Sequence, residues 1–240
     1  MTTLLITMAG LGSRFAAAGY TVPKYMIEAK GSTLFAWSMI SLKGYMPARC
    51  VFVVRREDHA RDFIINQCKA LGIDDVEIVE IDGLTNGQAT TALLAIDHCQ
   101  ANAPIAIFNI DTHISPGSMQ PPGGNVDGHI PCFLAPGTHW SFVRLGEDGL
   151  ALEVREKHRI SELATVGLYW FRSPELYRRT YEQHFGASGS GLERGEAYIA
   201  PMYNTMIKQN ARVSVSVLEF CDVVPLGTPA ELDAFLSLQQ

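Results

Sequence analysis

The sequence predicts an α/β fold with three layers, in which helices cover both faces of a mostly parallel central sheet. Two observations predict it. In the first half of the chain, short apolar segments of strand length alternate with longer segments that have helical spacing. The chain has 240 residues, of which 47% are hydrophobic, so one large domain can bury such a sheet. We therefore expect a single domain over residues 1–240.

The alternation is regular up to Asp111. The predicted strands of this half are Leu4–Met8, Cys50–Val54, Val76–Ile81 and Pro104–Asn109, and the predicted helices are Thr33–Leu42, His59–Leu71 and Gly87–Cys99. Most of these strands are apolar runs, which is typical of parallel strands that are buried on both faces, although Val76–Ile81 contains two glutamates. This half accordingly predicts the parallel part of the sheet.

The second half is less regular. Residues 114–128 contain three prolines and four glycines, which predicts an irregular loop over one edge of the sheet. The predicted strands beyond it are Trp140–Arg144, Ala164–Phe171 and Arg212–Glu219, and the predicted helices are Pro174–His184 and Ala197–Asn210. The glycine- and serine-rich stretch 186–195 is expected to be a surface loop.

Composition excludes several classes of partner. The net charge of −6 provides no general basic field for nucleic acid or an anionic membrane, so a polyanionic ligand needs a local cluster of cations and N–H groups. No apolar stretch approaches the ~20 residues that a transmembrane helix needs. The five cysteines are scattered, without a CxxC pair or metal-ligand spacing, and are expected to be buried free thiols. With no basic leader at the N-terminus, we expect a cytoplasmic protein.

A glycine-rich segment follows the first strand directly. It reads Gly10-Leu11-Gly12-Ser13-Arg14, and such a turn lets backbone N–H groups approach phosphates closely. Glycines at this place are equally compatible with a plain turn. The dinucleotide-binding pattern GxGxxG fails because Ala16 stands at its third glycine, and no Gly-Lys-Ser/Thr completes a Walker loop.

The wider pattern is more specific than the turn. Met8–Phe15, followed by Pro23-Lys24, resembles the signature of the sugar-phosphate nucleotidyltransferases. The resemblance implies their fold, the nucleotide-diphospho-sugar transferase type. It also implies that Ala9, Gly10, Gly12 and Ser13 bind the nucleotide, and that Arg14 and Lys24 are catalytic cations. Fixed positive charges there would stabilise the charge that develops during displacement at the α-phosphorus.

Two further segments match the nucleotide half of that family. Gly87-Gln88-Ala89 opens a predicted helix, and the resemblance implies that it contacts the nucleotide. A helix that simply begins at glycine is the alternative. Which base is bound stays open. Asp111 follows an apolar strand, where a carboxylate is well placed to hold Mg²⁺. The resemblance makes it the catalytic metal ligand, whereas a simple strand-ending aspartate is the alternative.

The acceptor half is matched by the order of its segments. Glu156-Lys157 precedes a strand containing Gly167, and Arg194-Gly195-Glu196 comes later. The resemblance implies that Lys157 binds the phosphate of the acceptor, that the strand with Gly167 lines the sugar pocket, and that Glu196 binds hydroxyl groups. Without the family, Lys157 would be a surface lysine in a mixed-charge run.

One position departs from the family pattern. Pro225 stands where a second metal-binding aspartate is usual, two residues before Gly227. Asp222 lies three residues earlier, and in a regular strand its side chain would point to the opposite side from Pro225. We therefore expect a Mg²⁺-dependent enzyme with Asp111 as its only essential carboxylate ligand.

Together these features predict transfer of a nucleoside monophosphate from a nucleoside triphosphate to a sugar 1-phosphate, forming a nucleoside-diphosphate sugar and pyrophosphate. The N-terminal half would bind the nucleotide and the C-terminal half the acceptor. A cytidylyltransferase acting on a non-sugar phosphate and a non-catalytic nucleotide-binding homologue remain alternatives. A glycosyltransferase would need Asp-x-Asp where the chain has Asp111-Thr112-His113. Whether the chain forms a homo-oligomer is open.

Overall fold

A computed structural model describes residues 1–186 and 191–238. The predicted surface loop at 186–195 therefore lies partly outside the described residues. The strands are β1 (Thr3–Thr7), β2 (Glu28–Ala29), β3 (Ser32–Thr33), β4 (Arg49–Arg55), β5 (Val76–Ile81), β6 (Ile105–Asn109), β7 (Thr112–Ile114), β8 (Gly128–Leu134), β9 (Ser141–Leu145), β10 (Ala151–Glu156), β11 (Leu163–Thr165), β12 (Leu168–Phe171), β13 (Val213–Leu218) and β14 (Val223–Pro225). The helices are α1 (Ser13–Ala17), α2 (Leu34–Ile40), α3 (Arg61–Ala70), α4 (Gln88–Leu94), α5 (Pro174–Phe185), α6 (Tyr203–Lys208) and α7 (Pro229–Ser237).

The central sheet of the described chain has ten strands. Nine follow the order β10-β9-β11-β8-β12-β6-β1-β4-β5, and β13 pairs with β8. Seven of the ten run in one direction, while β10, β11 and β12 oppose them. Helices flank this sheet, so the predicted fold class, a mostly parallel sheet between helical layers, is confirmed.

The two faces of the sheet are buried by different helices. Successive side chains of a strand point to opposite faces. Accordingly, Leu4 and Ile6 of β1 belong to the apolar cluster that includes residues of α2 and α3, such as Phe35 and Ile64. Leu5 belongs to the other cluster, with residues of α4, α5 and α6. The first strand is thereby held from both sides, which fixes the direction in which the following loop leaves the sheet.

Several elements differ from the sequence prediction. The strands β8 and β10 and the helices α1 and α7 had no counterpart in it. The predicted strand Ala164–Phe171 is two strands, separated by Val166 and Gly167, where Gly167 has a positive φ of 86°. Pro131 lies inside β8. A proline has no N–H group to donate to the neighbouring strand, so its presence argues against a central strand at the sequence level. The segment before it is rich in glycine, so no local pattern indicated the strand.

The cysteine thiols and the helices can be compared with the expectations from composition. All five thiols are free; four are buried, but Cys221 is exposed, contrary to the expectation for that residue. Among the described residues, no helix is both long and apolar enough to cross a lipid bilayer.

The strand order places a crevice at one edge of the sheet. From β1 the chain continues through β4 and β5 on one side, and then returns to pair β6 on the other side of β1. In the parallel β1–β6 pair, Thr7 lies opposite Asn109 at the carboxyl ends. Ligands of open α/β sheets bind outside the carboxyl ends of strands at such a reversal. The glycine-rich loop and Asp111 both emerge at this point.

Candidate functional site

A cleft of about 510 Å³ lies at the carboxyl ends of β1 and β6. The glycine-rich loop, the turn before α4 and the residues after β6 form one end of it. Side chains from β9, β10 and β11 and from residues 196–199 form the other end. Since both halves of the chain contribute walls, two ligands could lie in one cleft with their reacting groups facing each other.

The glycine-rich loop offers backbone donors to this cleft. Gly12 is in the left-handed conformation, with φ 60° and ψ 30°, and so turns the chain sharply into α1. In the described chain, the N–H groups of residues 10–14 donate no hydrogen bond, and the first paired amide is that of Phe15, which donates to the Gly12 carbonyl at 2.9 Å. A row of unpaired N–H groups beside a cleft is suited to bind phosphate oxygens.

Two predicted cations lie beside that loop. Arg14 is exposed on α1 and lines the cleft. The Nζ atom of Lys24 lies 3.1 Å from Oδ2 of Asp111, although the two residues are 87 positions apart. The side chain of Lys24 is 17% exposed and that of Asp111 34%, so this pair remains open to a ligand. The first sequence motif and the residue after β6 thus meet in space.

The turn before α4 is fixed by close backbone contact. A Cβ atom on Gly87 would lie 2.6 Å from both the backbone N and the backbone O of Ala197, so only glycine fits there. The N–H of Ala197 donates to the Asn86 carbonyl at 2.7 Å, and the N–H of Ala89 donates to the Ala197 carbonyl at 2.9 Å. The wall near Gly87 and the segment after Glu196 are therefore held together by backbone hydrogen bonds.

Ala89 itself does not reach the cleft. Its side chain is fully buried, and its carbonyl accepts a hydrogen bond from the Tyr177 hydroxyl at 2.7 Å. Its N–H and carbonyl are thus both occupied by the protein. We leave Ala89 out of the site proposed below, in contrast to the sequence prediction, because nothing of it faces a ligand.

A cluster of amide side chains lies between the two ends. Gln88 Nε2 donates to Thr7 Oγ1 at 3.2 Å and to Asn109 Oδ1. A Cβ on Gly167 would lie 2.8 Å from the Nδ2 atom of Asn109, and the Asn109 N–H donates to the Gly167 carbonyl at 3.1 Å. Glycine at 167 therefore makes room for the Asn109 amide in the floor of the cleft.

The opposite end carries charged and aromatic side chains. Nζ of Lys157 donates to the Tyr198 hydroxyl at 2.7 Å and lies 3.5 Å from Oε1 of Glu156. Burial lowers the pKa of Lys157, but the bond from its ammonium to Tyr198 and the charges of Glu156 and Glu196 outweigh it, so the pKa is raised above its usual value. Lys157 is thus a permanent cation at neutral pH.

Two carboxylates accompany Lys157. Glu156 is only 7% exposed, and its Oε2 accepts a hydrogen bond from the Ser141 hydroxyl. Glu196 lines the cleft near Tyr198, whose pKa is raised by burial and then by its hydrogen bond to that carboxylate. Carboxylates held in this way can accept hydrogen bonds from hydroxyl groups of a ligand.

Most of the residues predicted from sequence line this one cleft: Ala9, Gly10, Gly12, Ser13, Arg14, Lys24, Gly87, Gln88, Asp111, Gly167 and Glu196. Lys157 does not line the cleft itself, but it contacts Tyr198 and Glu156, which do. Asp222 does not line the cleft. Its Oδ2 accepts a hydrogen bond from the Ser118 hydroxyl at 3.0 Å, consistent with the expectation that it points away from the site.

Sequence reasoning missed other residues that line the cleft: Asn109, Trp140, Glu156, Tyr198 and Glu231. Glu231 had a readable signal, because Thr228-Pro229-Ala230-Glu231 is a capping-box pattern. Thr228 does cap α7, accepting from the Glu231 N–H at 3.2 Å. Within residues 1–186 and 191–238, no group of three or more His, Cys, Asp or Glu side chains is arranged to hold a metal ion.

The fold and the cleft together define the class of nucleotide-binding α/β proteins. Among solved structures, the chain is similar to a nucleoside-diphosphate-sugar pyrophosphorylase from Vibrio cholerae RC9, with 33% identity, a TM-score of 0.88 and coverage of 98% of this chain and 100% of that one. No protein-family model matches the sequence, and no curated protein does.

Two more distant structures share the fold alone. One is the inositol-1-phosphate CTP transferase of T. maritima, with 16% identity, a TM-score of 0.78 and coverage of 96% of this chain and 91% of that one. The other is a proposed glucose-1-phosphate thymidylyltransferase of Bacillus anthracis, with 13% identity, a TM-score of 0.77 and coverage of 100% and 97%.

The similarity to the Vibrio cholerae protein extends over the whole of both chains. The protein belongs to the sugar-phosphate nucleotidyltransferase family, and it is an enzyme of the nucleotidyltransferase type. The resemblance inferred from Met8–Phe15 and Pro23-Lys24 is thereby confirmed at the level of the family.

Proposed function

We propose that this enzyme transfers a nucleoside monophosphate from a nucleoside triphosphate to a sugar 1-phosphate, releasing pyrophosphate and forming a nucleoside-diphosphate sugar. The observation that carries the proposal is the division of the cleft. One end offers unpaired N–H groups with Arg14 and Lys24, and the other offers the carboxylates Glu156 and Glu196, with Lys157 in contact through Tyr198. The name of the Vibrio cholerae relative supports a sugar acceptor.

The proposed reaction is a direct displacement. An oxygen of the acceptor phosphate attacks the α-phosphorus, and the new P–O bond forms as the bond to the bridging oxygen of the β-phosphate breaks. Pyrophosphate leaves with that electron pair, without a covalent enzyme intermediate. Lys157 orients the attacking phosphate, while Arg14, Lys24 and the loop amides stabilise charge on the triphosphate.

We further propose that Mg²⁺ is the cofactor. Mg²⁺ requires only one or two protein carboxylates, because it keeps waters and takes other ligands from substrate phosphates. Asp111 fits this need, since its carboxylate is partly exposed in the cleft beside the cation Lys24. When bound, the metal would add positive charge at the triphosphate.

A screen for pyrophosphate release tests the function. The common nucleoside triphosphates are combined with sugar 1-phosphates and, as the second class, with polyol phosphates such as inositol 1-phosphate, the substrate in the name of the T. maritima neighbour. We expect release to depend on a sugar 1-phosphate and to be lost in Asp111→Asn. Release only with a polyol phosphate would replace the sugar acceptor, and triphosphate binding without release would indicate a non-catalytic homologue.

We propose a single domain whose N-terminal half binds the nucleotide and whose C-terminal half binds the acceptor. We also propose a cytoplasmic location and, from the proposed product, a role in nucleotide-sugar and polysaccharide biosynthesis.

A further inference from the structure

Asp111 is joined to the segment that leads into the last helix. The N–H of Leu226 donates to the Asp111 carbonyl at 2.8 Å, and β14 pairs with β7 so that Pro225 lies opposite Thr112. The segment at 225–228 therefore runs directly beside the predicted metal ligand. The first turn of α7 comes next, and it carries a carboxylate that the sequence prediction did not use.

That carboxylate belongs to Glu231. The position that a Cβ atom would take on Gly227 lies 3.4 Å from Oε2 of Glu231 and also 3.4 Å from Oδ2 of Asp111. The two carboxylate oxygens thus lie equally close to one point, and both residues line the cleft. Glycine at 227 leaves the space between them free of a side chain.

The side chain of Glu231 has no structural partner in the described chain. In a capping box, the glutamate side chain usually bonds back to the N–H of the cap residue. Here the Thr228 hydroxyl accepts from the Glu231 N–H at 3.2 Å, but the Glu231 carboxylate makes no hydrogen bond or ion pair with any described residue. It is half-buried and faces the cleft.

The position of α7 is fixed by packing. Its residues Leu232 and Phe235 belong to a small apolar cluster with Leu226 and with Phe15 of α1. The same cluster therefore holds both α7, which carries Glu231, and α1, which follows the glycine-rich loop. Packing in this cluster therefore fixes the position of Glu231 relative to the glycine-rich loop.

We propose that Glu231 supplies the second carboxylate of the cation site, together with Asp111, in place of the aspartate that is absent at Pro225. This inference rests on the proposed function for the identity of the metal. Proline has no side-chain donor, and Asp222 is bonded to Ser118 away from the cleft. Glutamate is longer than aspartate by one methylene group, which lets a residue on the first turn of α7 reach toward Asp111.

The experiment measures metal binding directly, with Mn²⁺ as the probe, by electron paramagnetic resonance with and without inorganic pyrophosphate. Glu231→Gln and Asp111→Asn should each raise the Kd for Mn²⁺ at least about tenfold, since even residues that only orient metal ligands contribute that much. Glutamine is as suitable as glutamate in a capping box, so Glu231→Gln should fold normally. Asp233→Asn, exposed on the same helix, and Asp222→Asn are the matched controls and should bind Mn²⁺ like the wild type.

Wild-type Mn²⁺ affinity in a folded Glu231→Gln variant would overturn the inference and would leave the proposed nucleotidyl transfer untouched. Weaker Mn²⁺ binding in that variant, in a protein that transfers no nucleotide in the screen above, would support the carboxylate pair while the proposed function fails. A Kd that rises equally in Asp222→Asn would also overturn it, because the effect would not be specific to the cleft.

Discussion

The two ends of the cleft present different kinds of chemical group, backbone N–H groups at one end and side chains at the other. At the nucleotide end, the donors are backbone N–H groups of one continuous loop, held by the end of β1. At the proposed acceptor end, the groups are side chains on segments distant in sequence, where Lys157 contacts Tyr198 and Tyr198 contacts Glu196. A phosphate site built from backbone, as we propose for the first end, leaves a compact sequence motif, whereas an acceptor site built from side chains does not.

The largest expected effect is the loss of turnover when Asp111 is replaced. Asp111→Asn should nearly abolish turnover, because the neutral amide would replace the carboxylate that we propose as the Mg²⁺ ligand. Asp222→Asn should retain most of the activity, since Asp222 is bonded to Ser118 outside the cleft. The measurement is kcat at saturating substrates, with circular dichroism as the folding check. Equal losses in the two variants would contradict the assignment.

The next effect belongs to the nucleotide end alone. Lys24→Ala and Arg14→Ala should each lower kcat/KM at least ~10²-fold, the scale for losing one preorganised electrostatic contact. Lys43→Ala provides the control, because Lys43 is exposed and does not line the cleft. Steady-state kinetics with varied triphosphate gives the values. If folded variants of Lys24 and Arg14 are as active as the Lys43 variant, the loop does not bind the triphosphate.

The fold, like the site, was easier to predict from sequence in the first half of the chain than in the second. The strands of the first half that alternate with helices could be predicted from the sequence because most of them are apolar runs bounded by turn residues. The strand β8 could not, since it pairs with strands that are distant in sequence and contains Pro131. The strand β10 could not either, because charged residues alternate with the apolar ones and obscure the pattern. Asn109 and Glu156 reach the cleft through strand pairing, which no local pattern encodes.

A smaller effect is expected at the acceptor end. Lys157→Ala should raise KM for the sugar 1-phosphate while leaving KM for the triphosphate nearly unchanged, because its ammonium lies with Tyr198 and Glu156 at the far end. Arg155→Ala is the control, because it removes an exposed cation two residues earlier that is paired with Glu153. KM values for both substrates are compared. A rise confined to the triphosphate KM would invert the division of the cleft.

The measurement that tests the central claim most directly follows the two ends of the triphosphate separately. The enzyme is incubated with a sugar 1-phosphate and with the triphosphate labelled either at the α- or at the γ-phosphorus. Nucleotidyl transfer predicts that the α-label enters the sugar product and that the γ-label leaves in pyrophosphate. Recovery of the γ-label in the sugar, or of the α-label only as free monophosphate, would contradict it.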